Sequence, residues 1–116
     1  MGLHGVSLHI TAQVSPEDVP KFLAAFVSVY DQVIAEPECT FFEVYQSPDD
    51  PGTISWVENW SESQEWLLEN QVEKPYYNGY REITSSLLLR PMDIKIWDRF
   101  GPEFSMFKRE NGGLRE

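Results

Sequence analysis

Apolar Val6, Leu8, Ile10, Ala12 and Val14 alternate with polar Ser7, His9, Thr11 and Gln13, a period of two that predicts a half-buried strand. Ser15-Pro16-Glu17-Asp18 then reads as a helix entry, with Ser15 as N-cap, Pro16 in the first turn and an acid three residues on. Val19, Phe22, Leu23, Phe26, Tyr30, Val33 and Ile34 recur at helical spacing, so one apolar stripe should run to about Pro37. Residues 40–47 and 53–60 read as two more strands. The Pro/Asp/Gly segment between them is too short for a crossover helix, so they should pair antiparallel. Ser61-Glu62-Ser63-Gln64 repeats the capping pattern and opens a second helix through Trp66 and Leu67. Pro75 should restart it, with Tyr76, Tyr80, Ile83 and Leu87 on one face. Met92, Ile94 and Ile96 alternate with Asp93, Lys95 and Trp97 as a last strand.

The resulting order, β-α-β-β-α-β, defines an α+β, ferredoxin-like subunit. Right-handed crossovers place the first and third strands side by side at the centre of an antiparallel sheet, with both helices on one face. The other face is left bare and half-apolar, and a second sheet is the usual cover for such a surface. A homodimer is therefore expected. Residues 1–116 make one domain, with its core at about 6–100 and a tail at 101–116 whose Phe104, Met106 and Phe107 are apolar enough to dock on something.

Charge narrows the possible partners. The chain carries 19 Asp and Glu against 9 Lys and Arg, which disfavours nucleic acid and anionic membranes. Positive charge gathers only at Lys108, Arg109 and Arg115, diluted by Glu110 and Glu116, and reads as a solvated tail. One cysteine, Cys39, excludes an internal disulfide and a multi-cysteine zinc site. No secretory leader is visible and no apolar run approaches about 18 residues, so the expected location is cytoplasmic. Four Trp, five Tyr and seven Phe need a core, a pocket or an interface to bury them.

Candidate chemistry centres on the third strand, whose period of two puts Trp56, Glu58 and Trp60 on one face. Between two indoles Glu58 would be desolvated and its pKa raised, which suits a base or proton shuttle. The plainer alternative pairs it with Lys95 or Arg99 on a neighbouring strand. Trp60 and Trp66 could wall a pocket mouth or simply pack the core. His9 is the one well-placed group whose ordinary pKa is near neutrality, although a lone strand histidine is more often a structural or interface residue. His4, in a glycine-flanked leader, is expected to be disordered. Tyr76, Tyr77, Tyr80 and Arg81 cluster near the helix over the sheet. The hydroxyls of Tyr76 and Tyr80 could hold a substrate oxygen, and Arg81 could stabilise an oxyanion or pair with Glu82 or Asp18. Neither histidine has partners at metal-ligand spacing, so no metal is expected.

The chain resembles the antibiotic biosynthesis monooxygenase superfamily. The resemblance rests on Glu36-Pro37 at the helix end, the Cys39-to-Tyr45 strand, Glu58-x-Trp60 closing the third strand, and the helix opening from Ser61 to Trp66. It implies a dimeric α+β barrel of two ferredoxin-like subunits packed sheet to sheet. Many relatives are cofactor-free oxygenases of anthrones and quinols; others are lyases, isomerases, haem-degrading enzymes or proteins without known activity. This chain departs from the common pattern at Glu38, where many members have Gly, and at positions 69–72, where many have a histidine and Gln71 is the nearest polar substitute. Of the landmarks of the polyketide-tailoring branch, Trp60 matches and Arg81 falls one residue away. Trp56 and Trp66 stand in place of an Asn and a Tyr. No histidine matches the haem-ligating position.

The reading that results is a homodimeric, cofactor-independent monooxygenase-like enzyme acting with molecular oxygen on a hydrophobic aromatic or polyketide-type small molecule. His9, Glu58, Trp60 and Arg81 are the candidate catalytic residues; Trp56, Trp66, Gln71, Tyr76 and Tyr80 are the candidate substrate contacts. A non-oxidative cyclase, isomerase or decarboxylase in the same pocket, or a non-catalytic dimeric binding module, are the alternatives.

Overall fold

A computed structural model describes residues 4–108. Four strands, β1 (Val6–Gln13), β2 (Cys39–Gln46), β3 (Thr53–Trp60) and β4 (Asp93–Asp98), form one antiparallel sheet in the order β2-β3-β1-β4. The expected central pair, β1 and β3, is therefore observed. Helix α1 (Val19–Ile34) lies between β1 and β2. A short helix α2 (Gln64–Trp66), a π turn (Leu67–Gln71) and helix α3 (Tyr77–Ser85) lie between β3 and β4.

The two sheet faces follow from parity. Leu8 pairs with Glu58, Ile10 with Trp56 and Val6 with Trp60, so even-numbered residues of both central strands face the helices. There Phe22 and Phe26 of α1 meet Trp56, the Phe26 and Trp56 rings crossing edge to face at 4.7 Å. Tyr80 of α3 closes on the same aromatic group. Trp60 and Phe22 are completely buried. The odd-numbered residues Ser7, His9, Thr11 and Gln13 lie on the open face with Ser55, Val57 and Asn59 of β3.

Local details differ from the sequence reading where backbone geometry overrides the cap pattern. Ser15 makes no side-chain cap bond; Pro16–Asp18 forms a 3₁₀ turn first, and α1 begins at Val19. It ends at Ile34, three residues before Pro37. The second cap is Ser63 rather than Ser61, its Oγ accepting from the Trp66 amide at 3.1 Å. The buried line of α3 runs through Tyr80 and Thr84, Leu87 is buried just beyond the helix end, and Ile83 is turned outward. Phe104, Met106 and Phe107 do not dock within the subunit; all three are exposed. His4, expected to be disordered, is placed, its carbonyl accepting from Arg99 Nη1 at 3.3 Å. The tail charges Arg109, Glu110, Arg115 and Glu116 lie outside the described residues.

Two glycines hold the ends of β3. Gly5 takes a φ of 87°, and a Cβ there would collide with the Trp60 carbonyl oxygen. Gly52, just before the strand, packs against the Val14 carbonyl, and its own carbonyl accepts from the Val14 amide at 2.9 Å.

Candidate functional site

Between the sheet and the second helical segment lies a cavity of ≈ 320 Å³. Leu8 and Ile10 of β1, Trp56, Glu58 and Trp60 of β3, and Ile94 of β4 form its floor. Leu67, Gln71, Tyr77, Tyr80, Arg81 and Leu88 contribute its walls. Such a mostly apolar chamber with a few convergent polar groups is the usual form of a small-molecule site.

Glu58 is the charged group of the floor. Trp56 Nε1 donates to its Oε2 and Trp60 Nε1 to its Oε1, both at 3.0 Å. Strand pleating makes this clamp possible, because residues two before and two after Glu58 point the same way. Burial raises the Glu58 pKa above the usual carboxylate value, and the two indole hydrogen bonds pull it part of the way back. Packing surrounds the carboxylate closely, yet the side chain keeps some open surface, and it lines the cavity. The result is a fixed carboxylate with unused lone pairs and a raised proton affinity.

Burial also pushes up the pKa of the Tyr77 and Tyr80 phenols, each to about 12, with the nearby Glu58 charge adding to the effect. Both therefore stay protonated at neutral pH. Cys39 is likewise pushed up to about 12 by burial and then by Glu58, which keeps its thiol protonated at neutral pH. Arg81 Nη2 donates to the Val72 carbonyl at 2.9 Å, and its guanidinium lies 4.8 Å above the Tyr77 ring centre.

Several sequence expectations change here. Glu58 does not pair with Lys95 or Arg99: Lys95 stands beside His9 on the open face and bonds Asp93, while Arg99 reaches His4 and Ser105. Arg81 bonds the Val72 carbonyl rather than Glu82 or Asp18. His9 lies on the face away from the cavity, its ring 6.2 Å from Trp97 and bonded to Ser7 Oγ at 3.0 Å. Trp66 stacks obliquely behind Trp60 at 6.4 Å and does not line the cavity. Tyr76 is one step removed, its hydroxyl donating to Glu36 at 2.7 Å. Trp56, Glu58, Trp60, Gln71, Tyr80 and Arg81 are brought together. Tyr77, placed in the same aromatic cluster from the sequence but given no role there, joins them, along with the apolar side chains Leu8, Ile10, Leu88, Met92 and Ile94. Strand parity could have found Leu8 and Ile10. Nothing local in the sequence distinguishes Tyr77 from Tyr76.

The π turn explains why Gln71 reaches the cavity. The Val72 amide bonds the Leu67 carbonyl at 3.0 Å, five residues back, so the helix carries an extra residue per turn there. Gln71 is 2% exposed, and its Nε2 donates to Tyr76 Oη at 2.6 Å and Tyr77 Oη at 2.8 Å. Among the described residues its Oε1 has no partner. Among the described residues no group of three or more His, Cys, Asp and Glu is placed to hold a metal ion. Nor is any described helix long and apolar enough to cross a membrane.

The β-α-β-β-α-β order agrees with what comparison with known proteins finds. The sequence model of the antibiotic biosynthesis monooxygenase family matches residues 5–71, and the chain belongs to that family. It is 36% identical over 94 residues to "Putative monooxygenase GME11364" of Pestalotiopsis microspora, covering 81% of this chain and 78% of that one. Among solved structures, a protein of Nitrosomonas europaea bearing the same family name superposes with a TM-score of 0.76 at 22% identity, over 85% of this chain and 93% of its own. A conserved protein of Methanosarcina mazei Go1 gives a TM-score of 0.74 at 21% identity, over 84% and 95%. At these identities the two structures establish the fold alone.

Proposed function

We propose that the chain is a cytoplasmic, homodimeric, cofactor-independent monooxygenase acting on a flat hydrophobic, aromatic or polyketide-type molecule bound in the cavity. The observation that carries this reading is Glu58, a desolvated carboxylate clamped by two indoles on the floor of an apolar chamber. Cofactor-free oxygenation needs a substrate that can itself reduce O₂, a base to deprotonate it, and a dry wall around the carbanion. Glu58 takes a proton from an activated CH₂. The carbanion transfers its electrons to O₂ and is protonated to a hydroperoxide, and loss of water leaves a carbonyl. CH₂ and O₂ thus become C=O and H₂O, all electrons coming from the substrate. Trp56 and Trp60 exclude water, and Tyr80 or Arg81 orients an oxygen. His9, on the open sheet face, is assigned to the subunit interface instead of the chemistry.

A second reading keeps Glu58 as base and omits O₂, giving isomerisation, cyclisation or decarboxylation. The neutral phenols that line the same cavity as the carboxylate favour it, since a base and a hydrogen-bond donor to the developing oxyanion suffice. Oxygen uptake separates the two. Metal-stripped protein with a dithranol-type anthrone or a reduced naphthoquinone should consume O₂ above the spontaneous rate, and Glu58→Gln should abolish the excess. Anaerobic turnover of the same compounds would instead select the second reading.

A further inference from the structure

A line of hydrogen bonds runs from the protein surface to the cavity wall, and its direction can be deduced. Lys74 Nζ donates to Glu36 Oε2 at 2.7 Å, and this ammonium holds the Glu36 carboxyl below the usual range in spite of partial burial. An ionised carboxylate only accepts. Tyr76 Oη lies 2.7 Å from the same oxygen, so the single phenolic proton of Tyr76 goes to Glu36. Toward Gln71, at 2.6 Å, Tyr76 Oη can then only accept. The Gln71 amide nitrogen must therefore face Tyr76, and its other N–H is directed to Tyr77 Oη at 2.8 Å. Reversing the amide would set Oε1 against an oxygen whose proton is already committed. The partnerless Oε1 of a residue 2% exposed is what this orientation leaves behind.

Tyr77 thus accepts from Gln71 and retains its own proton, and the one other hydroxyl beside it, Tyr76 Oη, already donates to Glu36 and accepts from Gln71. Its side chain lines the cavity together with Glu58. Arg81, above its ring, further polarises the hydroxyl.

We propose that Tyr77 is a catalytic residue, a hydrogen-bond donor to a ligand carbonyl or enolate oxygen, and that Glu36, Lys74, Tyr76 and Gln71 are positioning residues that favour this direction. This rests on the reading of the cavity as the substrate site with Glu58 as base. The ligand class it implies is a flat apolar ketone with an acidic C–H close to the carbonyl. Glu58 takes that proton, the C–H electron pair moves into the C–C=O system, and the charge arrives on the oxygen that Tyr77 holds. Tyr77 keeps its proton throughout.

The test uses 9-fluorenone, an aprotic ketone without a titratable group, with calorimetry for binding and infrared absorption for the carbonyl stretch of the bound molecule. Wild type should bind it with a lowered carbonyl frequency. Tyr77→Phe should bind it roughly 2- to 10-fold more weakly, the contribution of one hydrogen bond, with the frequency returned upward. Glu36→Gln, which lets the line run in either direction, should split the carbonyl band while the near-UV dichroism of the fold is retained. A merely structural Tyr77 would leave the stretch unmoved. Binding with identical frequencies in wild type and Tyr77→Phe overturns the donor role alone. A single unchanged band in Glu36→Gln overturns the positioning role of the surface pair. Absence of binding by wild type overturns the cavity as a ketone site, and the assignment of Tyr77 with it.

Discussion

Leu8 stands directly opposite Glu58 across the β1–β3 ladder. On the other side the cross-strand neighbour is Phe42, so the carboxylate has an apolar residue to left and right. Its compensation comes along its own strand, from the indoles two residues before and after it. A carboxylate stabilised by neutral donors keeps a raised proton affinity, where a cross-strand lysine would have lowered it.

Glu58 should leave a signature in the pH dependence of stability. Its folded pKa lies above its unfolded value of about 4.5, so between the two the native state holds more protons. Stability is then greatest below the unfolded value and declines as pH rises through the folded one. Urea midpoints measured across this window should fall in wild type and stay flatter in Glu58→Gln. Equal slopes in the two proteins would place the carboxylate in an ordinary solvated setting.

Trp60 should separate packing from hydrogen bonding. It is wholly buried, so Trp60→Ala should cost about 3–5 kcal/mol in chemical denaturation. Trp60→Phe keeps most of the volume and removes one donor to Glu58, costing about 1–3 kcal/mol and raising the Glu58 pKa further. Activity controlled by that base should shift its pH profile upward in Trp60→Phe. An unmoved profile would count against Glu58 as the base.

Glu36 should behave in the opposite sense. Lys74 lowers its folded pKa, so its contribution is present above the unfolded value of about 4.5 and lost as pH falls through the folded one. The pair is partly exposed, so Lys74→Met should lower stability at neutral pH by only about 1 kcal/mol or less. At acid pH the variant and wild type should converge. A difference that persists there would come from packing.

Gly5 should tolerate no side chain. A positive φ alone costs a non-glycine residue about 1–2 kcal/mol, and the added methyl would also strike the Trp60 carbonyl. Gly5→Ala should therefore lower the denaturation midpoint, whereas Gly79→Ala, where a Cβ meets nothing within 4 Å, should not. Equal midpoints for the two variants would mean that the chain entry relaxes freely.

Val57 tests the proposed dimer. It sits on the open face of a central strand, between His9 and Glu43. Val57→Arg should weaken self-association more than about tenfold in sedimentation velocity without loss of secondary structure. An undiminished dimer would put the interface elsewhere.

Much of this architecture was legible because alternation and register carry it. Val6 to Val14 and Ile54 to Trp60 define strand faces by parity alone, and that parity assembles the Trp56, Glu58 and Trp60 clamp. The same parity sets His9 and Lys95 on the opposite side from Glu58, so the ion pair considered for Glu58 was sterically excluded. The second helical segment was not legible. Its π turn, with Leu67 and Gln71 buried, follows no local signal in the sequence, and Tyr77 rather than Tyr76 meets the cavity beyond it. Cap positions shifted for a related reason: Ser15 and Ser63 offer the same hydroxyl, but only Ser63 finds an amide in reach.

The four tryptophans are divided by the sheet into two optical populations. Trp97 is 56% exposed on the open face beside His9, whereas Trp56 and Trp60 are almost fully enclosed and Trp66 is packed behind them. Indole emission shifts red with water contact, so Trp97 supplies the long-wavelength edge of the spectrum, Trp56 and Trp60 supply the short-wavelength edge, and half-buried Trp66 falls between them. Events on the open face and events in the cavity then alter different colours of the same emission, and Trp97→Phe isolates the second without touching a residue that lines it.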